Sequence, residues 1–142
     1  VCVAGPQGSV FGDYHRTGDA SVTGPGSQIE GIGRPRVEAS FIRTLVDRME
    51  TINNTDSVAA MQVLSGLLGR KVGPSTGTNL VGMLTLACEM RQRGEQGSIL
   101  SLLCDAGERY LGSYFDATWV TQHIGDCAPA RARLHEQLSC HT

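Results

Sequence analysis

The chain has 142 residues, a length typical of one domain, and 40% of its residues are hydrophobic while 18% are charged. Its net charge is −2 and its isoelectric point is about 6.1, so the composition predicts neither a nucleic-acid partner nor a membrane partner. No apolar stretch is long enough to span a bilayer, and the first residues lack the pattern of a signal peptide; together these features predict a cytoplasmic protein.

The first third of the chain is predicted to hold two short strands, at residues 1–4 and 47–52, with a long polar segment between them. Residues 5–36 are rich in Gly, Ser, Thr and Pro, which predicts a functional lid or an exposed flap that is mobile over residues 12–36. A short helical turn is predicted at residues 41–46. Because the chain starts with valine inside the first strand and not with methionine, we expect a fragment or a processed product.

Two amphipathic helices and a buried strand are predicted for the middle of the chain. Thr55 or Asp56 supplies an N-cap for a helix over residues 57–68, which Gly69 terminates. Apolar residues recur at helical spacing over residues 80–93. The run at residues 98–104 is almost continuously apolar, which is typical of a strand covered on both faces.

The last part of the chain is predicted to hold one further helix, at residues 114–124, and a tail at 125–142 that trails over the surface. Helices that alternate with buried strands predict an α/β sandwich, with residues 1–124 as the folded domain.

No Cys-x-x-Cys pair occurs, so we expect reduced and mostly buried thiols. The five cysteines are Cys2, Cys88, Cys104, Cys127 and Cys140.

The most informative motif is G-P-S-T-G-T-N at residues 73–79, which opens the second predicted helix. Small residues there allow a ligand to approach the backbone, and the free N–H groups of a helix start attract anions. The strand predicted next ends in D-A-G at residues 105–107. Two such polar, glycine-containing segments, separated by one helix, are typical of the ligand-binding edge of an open α/β sheet.

One interpretation of this motif is a nucleophile elbow, because residues 73–77 match G-x-S-x-G. The chain also offers the acid and the base of a serine hydrolase in the required order, as Ser75, Asp105 and His123. Against this interpretation, residues 69–72 lack the hydrophobic strand that an elbow needs, and no HGGG-like oxyanion segment is present. The alternative interpretation is structural: the motif is a glycine-rich turn whose serine caps the helix.

Three motifs taken together resemble one known family. They are S-Q-I-E-G-I-G at residues 27–33, G-P-S-T-G-T-N at 73–79 and C-D-A-G-E-R-Y-L at 104–111. In this order and spacing, over residues 1–119, the chain resembles the C-terminal half of the pyridoxal-phosphate-dependent cysteine synthase and cystathionine β-synthase family. The form I-E-G-I-G-R-P-R-V-E is especially similar to the L-cysteine desulfhydrase branch. The resemblance implies fold type II, a three-layer α/β sandwich with a mostly parallel sheet.

The resemblance also implies roles for residues around the cofactor, pyridoxal 5'-phosphate. Ser75 is implied to hydrogen-bond the pyridine nitrogen. Gly31 and Ile32 are implied to lie on the substrate side of the cofactor, where a side chain at position 31 would intrude. For Asp105 we expect a hydrogen bond to Ser75 or to a water, with a solvated carboxylate as the alternative.

No catalytic residue is expected among these 142 residues, because the resemblance puts the Schiff-base lysine and the phosphate-binding loop earlier in the sequence. The single lysine, Lys71, lies at a position that has no catalytic role in the family pattern, and we expect its side chain to be solvated. The resemblance implies that the full-length enzyme, a homodimer, carries out β-elimination or β-replacement on cysteine or an O-activated serine. The competing hypothesis is a non-catalytic truncated chain that binds a partner chain.

The histidines do not predict a metal site. His15 and His123 have no partners at ligand spacing, and His135 and His141 fall in the predicted tail. We therefore expect no bound metal.

Overall fold

The computed structural model describes residues 1–139, and the end of the predicted tail, with Cys140 and His141, lies outside the described residues. In chain order the described elements are β1 (Cys2–Pro6), α1 (Phe11–Thr17), a 3-10 turn (Arg43–Leu45), β2 (Arg48–Ile52), α2 (Asn54–Leu68), α3 (Pro74–Gln92), a second 3-10 turn (Glu108–Tyr110), α4 (Ala117–His123) and α5 (Ala128–Ser139). None of the helices described is both long and apolar enough to cross a bilayer.

Two parallel strands form a sheet. β1 pairs with β2 in a register that runs from Cys2–Arg48 to Pro6–Ile52. The first two predicted strands, the α/β class and the parallel pairing are thereby confirmed. Because the strands are parallel, their carboxyl ends lie at the same edge of the sheet. At this edge the Gln7 amide donates to the Ile52 carbonyl at 2.8 Å, and α2 begins two residues after Ile52.

The start of α2 lies earlier than predicted. Asn53 is the N-cap, with an extended backbone at φ −65° and ψ 148°, and its carbonyl accepts the Ser57 amide at 3.0 Å. The prediction of Thr55 or Asp56 as the cap was wrong, because the chain turns into the helix directly at the end of β2 and leaves those residues in the first turn. Gly69 ends α2 in the left-handed conformation at φ 64°, as predicted.

The beginning of α3 also lies earlier than predicted, inside the 73–79 motif. Pro74 takes the first helical position, where its fixed φ suits a helix and its missing N–H has no intrahelical partner to lose. Small residues in this first part of α3 pack directly on α2: a Cβ added at Gly77 would lie 2.0 Å from the Ser57 carbonyl oxygen. The Thr78 hydroxyl donates to the Ser57 hydroxyl at 2.8 Å in the same buried contact. The motif therefore serves helix packing as well as helix initiation.

Residues 98–104 are not a strand in the structure, which corrects the sequence prediction. The segment is irregular, and its leucines are largely exposed: Leu100 is 96% exposed and Leu102 is 71% exposed. An apolar run becomes a strand only when a neighbouring strand accepts its backbone hydrogen bonds, and β1 and β2 pair only with each other in the described residues. The sheet described here accordingly has two strands.

The predicted surface tail is folded for most of its length. Residues 128–139 form α5, which packs against α2 and buries Ala130 and Leu134 at 3% and 5% exposure. Arg131 donates to the Gln62 amide oxygen of α2 at 2.6 Å. Small and apolar residues three and four positions apart give α5 one buried face, which explains why this charged segment does not trail into solvent.

The polar segment at residues 5–36 contains regular structure of its own. α1 lies within it, and the Val10 amide donates to the Arg34 carbonyl at 3.0 Å, so the two ends of the segment lie together. Val10 and Ile29 are its buried apolar residues, at 3% and 1% exposure. The lid function and the mobility of this segment stay predictions. The helical turn predicted nearby is present as the 3-10 turn at Arg43–Leu45.

Candidate functional site

The first turn of α3 holds Ser75 in a buried position. Gly73 is the extended N-cap, and Ser75 and Thr76 follow in the first helical turn with exposures of 7% and 2%. No hydrogen bond from the Ser75 hydroxyl to another described residue is present. The Ser75 hydroxyl at this helix start therefore has donor and acceptor capacity to spare for a small polar ligand.

Residues 104–107 dock onto this turn by backbone hydrogen bonds. The Gly73 amide donates to the Asp105 carbonyl at 2.9 Å, and the Gly107 amide donates to the Lys71 carbonyl at 3.1 Å. The Cys104 amide donates to the Thr76 hydroxyl at 2.9 Å. The two motifs that the sequence analysis placed at one edge are therefore in direct contact.

The Asp105 side chain is held by Tyr110. The Tyr110 hydroxyl donates to Asp105 Oδ2 at 2.6 Å, and Asp105 Oδ1 lies 1.8 Å from the position that a Cβ on Gly73 would take. Burial, and then the hydrogen bond to Asp105, raises the pKa of Tyr110, so the phenol is a neutral donor at physiological pH. No hydrogen bond from the Ser75 hydroxyl to the Asp105 carboxylate is present among the described residues; the carboxylate accepts from Tyr110.

The loop at residues 27–33 lies against the start of α2 and against Tyr114. Gly31 has φ 87° and Gly33 has φ 77°, a backbone region that side chains with a Cβ rarely adopt. Nothing described lies within 4 Å of a Cβ built on Gly31, so in this chain its backbone conformation, and not crowding, calls for glycine. Ile32, next to it, is partly buried against the hydrophobic core.

Asn54, the first residue of α2, adds an unusual polar group to the same region. Its side-chain amide donates to Gln28 Oε1 at 2.9 Å, while its Oδ1 is buried and has no hydrogen-bond partner. Buried acceptors without a partner are rare in proteins. This unpartnered acceptor lies at the start of α2, beside the 27–33 loop.

A cavity of about 740 Å³ lies elsewhere and contains none of the predicted site residues. Its lining includes α1 residues and Arg48 of β2. The charged groups there are paired, because Arg48 binds Glu89 at 2.6 Å and Arg16 binds Asp13 at 2.7 Å. We therefore base the functional site on the α3 turn and not on cavity size.

Comparison with known proteins decides the family. No protein-family model matches the chain. L-cysteine desulfhydrase Cds1 of Mycobacterium tuberculosis (strain ATCC 25177 / H37Ra) is 44% identical over 142 residues, covering 99% of this chain and 39% of that protein. The chain belongs to the pyridoxal-phosphate-dependent cysteine synthase family.

Other members of the cysteine synthase family match more distantly. Cysteine synthase 1 of Neurospora crassa is 28% identical over 84% of this chain and 32% of its own length. A cysteine synthase of Dictyostelium discoideum is 28% identical over 70% of this chain and 26% of its own length. The chain thus spans 39% or less of the length of these three relatives.

The structure does not assemble the alternative serine-hydrolase triad. Asp105 bonds Tyr110, and the His123 ring bonds the Trp119 carbonyl at 2.9 Å and stacks on the Trp119 ring. In the described residues no hydrogen bond joins the Ser75, Asp105 and His123 side chains. The geometry therefore gives no support to that alternative.

Lys71 has a partner that the sequence did not predict. Its ammonium lies 4.7 Å from the centre of the Phe115 ring, within the range of a cation–π contact.

Within residues 1–139, no group of three or more His, Cys, Asp or Glu side chains could hold a metal ion.

Sequence reasoning missed how Tyr110 and Tyr114 organise this member of the cysteine synthase family. Their rings meet edge to face at 5.4 Å. One bonds Asp105 and the other bonds the 27–33 loop. Because the two tyrosines lie in turns and not in one α-helix, their spacing in the sequence gave no signal for this contact.

Proposed function

We propose that the protein containing this chain binds pyridoxal 5'-phosphate and carries out β-elimination or β-replacement on cysteine or an O-activated serine. The observation that carries the proposal is Ser75, a buried hydroxyl with spare hydrogen-bonding capacity in a chain 44% identical to an L-cysteine desulfhydrase. Four described cysteines are free thiols, which supports a reducing, cytoplasmic setting. A homodimer is part of the proposal for the full-length protein.

Each residue of the candidate site has a proposed task. Pyridoxal phosphate, when bound, supplies the electron sink for charge that develops at the α-carbon of the amino acid. Ser75 would hydrogen-bond the pyridine nitrogen; as a neutral hydroxyl it leaves that nitrogen largely unprotonated, which moderates the sink and favours elimination over transamination. Gly31 and Ile32 would border the amino-acid substrate.

Asp105 has a supporting task in this proposal. Its carboxylate, fixed by Tyr110, lies against the backbone of Gly73 at the point where α3 begins. It therefore holds the turn that presents Ser75 and does not itself bond the Ser75 hydroxyl.

The intact protein should bind pyridoxal phosphate and turn over cysteine or an O-activated serine, giving pyruvate and ammonia on elimination and a new amino acid on replacement. Reduction with borohydride should leave a covalent label on a lysine other than Lys71, because the family resemblance puts the Schiff-base lysine earlier in the sequence. The measurement is the visible absorbance of the cofactor, followed by peptide mapping of the reduced adduct. A stoichiometric label on Lys71 with turnover of cysteine would contradict this assignment, and no cofactor binding at all would overturn the proposed function.

Replacing Ser75 by alanine in the intact protein should weaken cofactor binding or turnover by about 1–3 kcal/mol, the cost of one hydrogen bond lost in a desolvated site. The apo protein should stay equally stable, because the Ser75 hydroxyl bonds no described residue. Cofactor titration and thermal unfolding of the apo protein measure the two effects.

Ser65→Ala is the matched control for this change. The Ser65 hydroxyl is buried and accepts the Val72 amide at 3.1 Å, so its loss should lower stability by about 1–3 kcal/mol and leave cofactor affinity unchanged. The same loss of cofactor affinity in both variants would show that Ser75 has no specific role.

A further inference from the structure

Tyr114 makes two hydrogen bonds to the 27–33 loop with one hydroxyl. Tyr114 Oη donates to the Gln28 carbonyl at 2.7 Å and accepts the Glu30 amide at 3.0 Å. The two bonded residues lie on either side of Ile29, which is 1% exposed, and the second of them directly precedes Gly31. A single side chain more than 80 residues away thus holds the backbone of the loop where it turns.

The position of the Tyr114 ring is itself fixed. The residue is 4% exposed, and its ring meets Tyr110 at 5.4 Å and Trp119 at 5.0 Å, both edge to face. Gln62 of α2 donates to the Tyr114 carbonyl at 2.8 Å. Because ring and backbone are both held, the hydroxyl has little freedom to follow a moving loop.

The other contacts of the loop are weaker restraints on its backbone. Asn54 bonds the side chain of Gln28, and Arg109 pairs with the side chain of Glu30 at 2.9 Å. The second pair is solvent-exposed on both sides, and such pairs contribute little. The main-chain bonds of Tyr114 therefore restrain the loop backbone directly before Gly31, together with the burial of Ile29 in the core.

A glycine-rich loop that is held in place before a ligand arrives loses less conformational entropy on binding than one that must order. Gly31 and Gly33 both have positive φ values, and a Cβ on Gly33 would lie 2.4 Å from Ser27 Cβ, so the loop folds tightly on itself. The Tyr114 hydroxyl joins the backbone of this tight loop to the body of the domain by hydrogen bonds.

We propose that Tyr114 is a positioning residue for the substrate side of the site, through the hydrogen bonds by which its hydroxyl orders the loop before Gly31 and Ile32. This inference rests on the proposed function for what the loop contacts, and on the structure alone for how the loop is held. It assigns Tyr114 to amino-acid affinity and not to cofactor affinity, since the Tyr114 bonds lie on the loop and not on the α3 turn.

The test is Tyr114→Phe in the intact protein, which keeps the ring contacts and removes both hydrogen bonds. We expect hydrogen exchange at the Glu30 amide to accelerate about tenfold, as for a lost hydrogen bond. We expect the KM for cysteine to rise about three- to tenfold with a smaller change in kcat, because only substrate positioning is lost. The cofactor absorbance and the affinity for pyridoxal phosphate should be unchanged.

Arg109→Met is the matched control, because it removes the exposed ion pair to the Glu30 side chain and leaves both main-chain hydrogen bonds of the loop in place. It should leave both the Glu30 exchange rate and the KM as in the wild type. Unchanged exchange and KM in Tyr114→Phe, or equal changes in both variants, would overturn the positioning role. A wild-type protein that binds no pyridoxal phosphate would instead overturn the proposed function, whatever the exchange rates show about the loop.

Discussion

Replacing Gly77 by alanine should destabilise the domain by about 3 kcal/mol or more, at the upper end of the cost of overpacking a core. The added Cβ would lie 2.0 Å from the Ser57 carbonyl oxygen and 2.7 Å from the Met61 amide nitrogen. Both are backbone atoms of a neighbouring helix that is buried at this point, so no side-chain rotation relieves the clash. Either α2 and α3 move apart or the packing fails. Urea unfolding of the apo protein measures the loss.

Gly66 provides the control, since it lies in α2 and a Cβ built on it meets nothing within 4 Å. Gly66→Ala should stabilise the domain by about 0.5–1 kcal/mol, the difference in helix propensity between the two residues. Equal stability of the two variants would contradict the close approach of α2 and α3 at Gly77.

The second large effect is expected for Gly73→Ala, which should lower the turnover of cysteine roughly 100-fold, the scale of a misplacement of about 1 Å at an active site. Gly73 has an ordinary extended backbone, at φ −75°, so alanine is not strained there by its own conformation. The obstacle is Asp105 Oδ1, 1.8 Å from the new Cβ. The carboxylate must move to make room, which disturbs its hydrogen bond to Tyr110 and the turn that presents Ser75.

A double-mutant cycle separates this mechanism from a general loss of stability. Asp105→Ala removes the obstructing oxygen, so Gly73→Ala should cost much less in the Asp105→Ala background than in the wild type. The measurement is kcat/KM for all four proteins, with cofactor content determined for each. If the effects of the two substitutions on kcat/KM were additive, Asp105 would not be the residue that prevents a side chain at position 73.

Local chemistry explains why part of this structure was predictable. Gly69 ends α2 because a glycine tolerates the left-handed conformation. The two strands at the start of the chain carry their own apolar pattern. The three motifs of the family each keep their residues and spacing, and the 44% identity with the desulfhydrase bears out the family that they predicted.

What the sequence alone determined is therefore the set of features that depend on neighbours in the chain: the 3-10 turn near residues 41–46, the C-terminal ends of α2 and α3, the α/β class and the family. The tertiary structure decided the features that depend on distant partners. Residues 98–104 have the composition of a strand, but no described strand lies beside them to pair with. Most of the predicted tail forms α5 instead, because its apolar face packs against α2. The bonds of Asp105 to Tyr110 and of Tyr114 to the loop likewise join residues through packing. A hydrogen bond needs its partner within about 3 Å, and only the folded chain sets that distance.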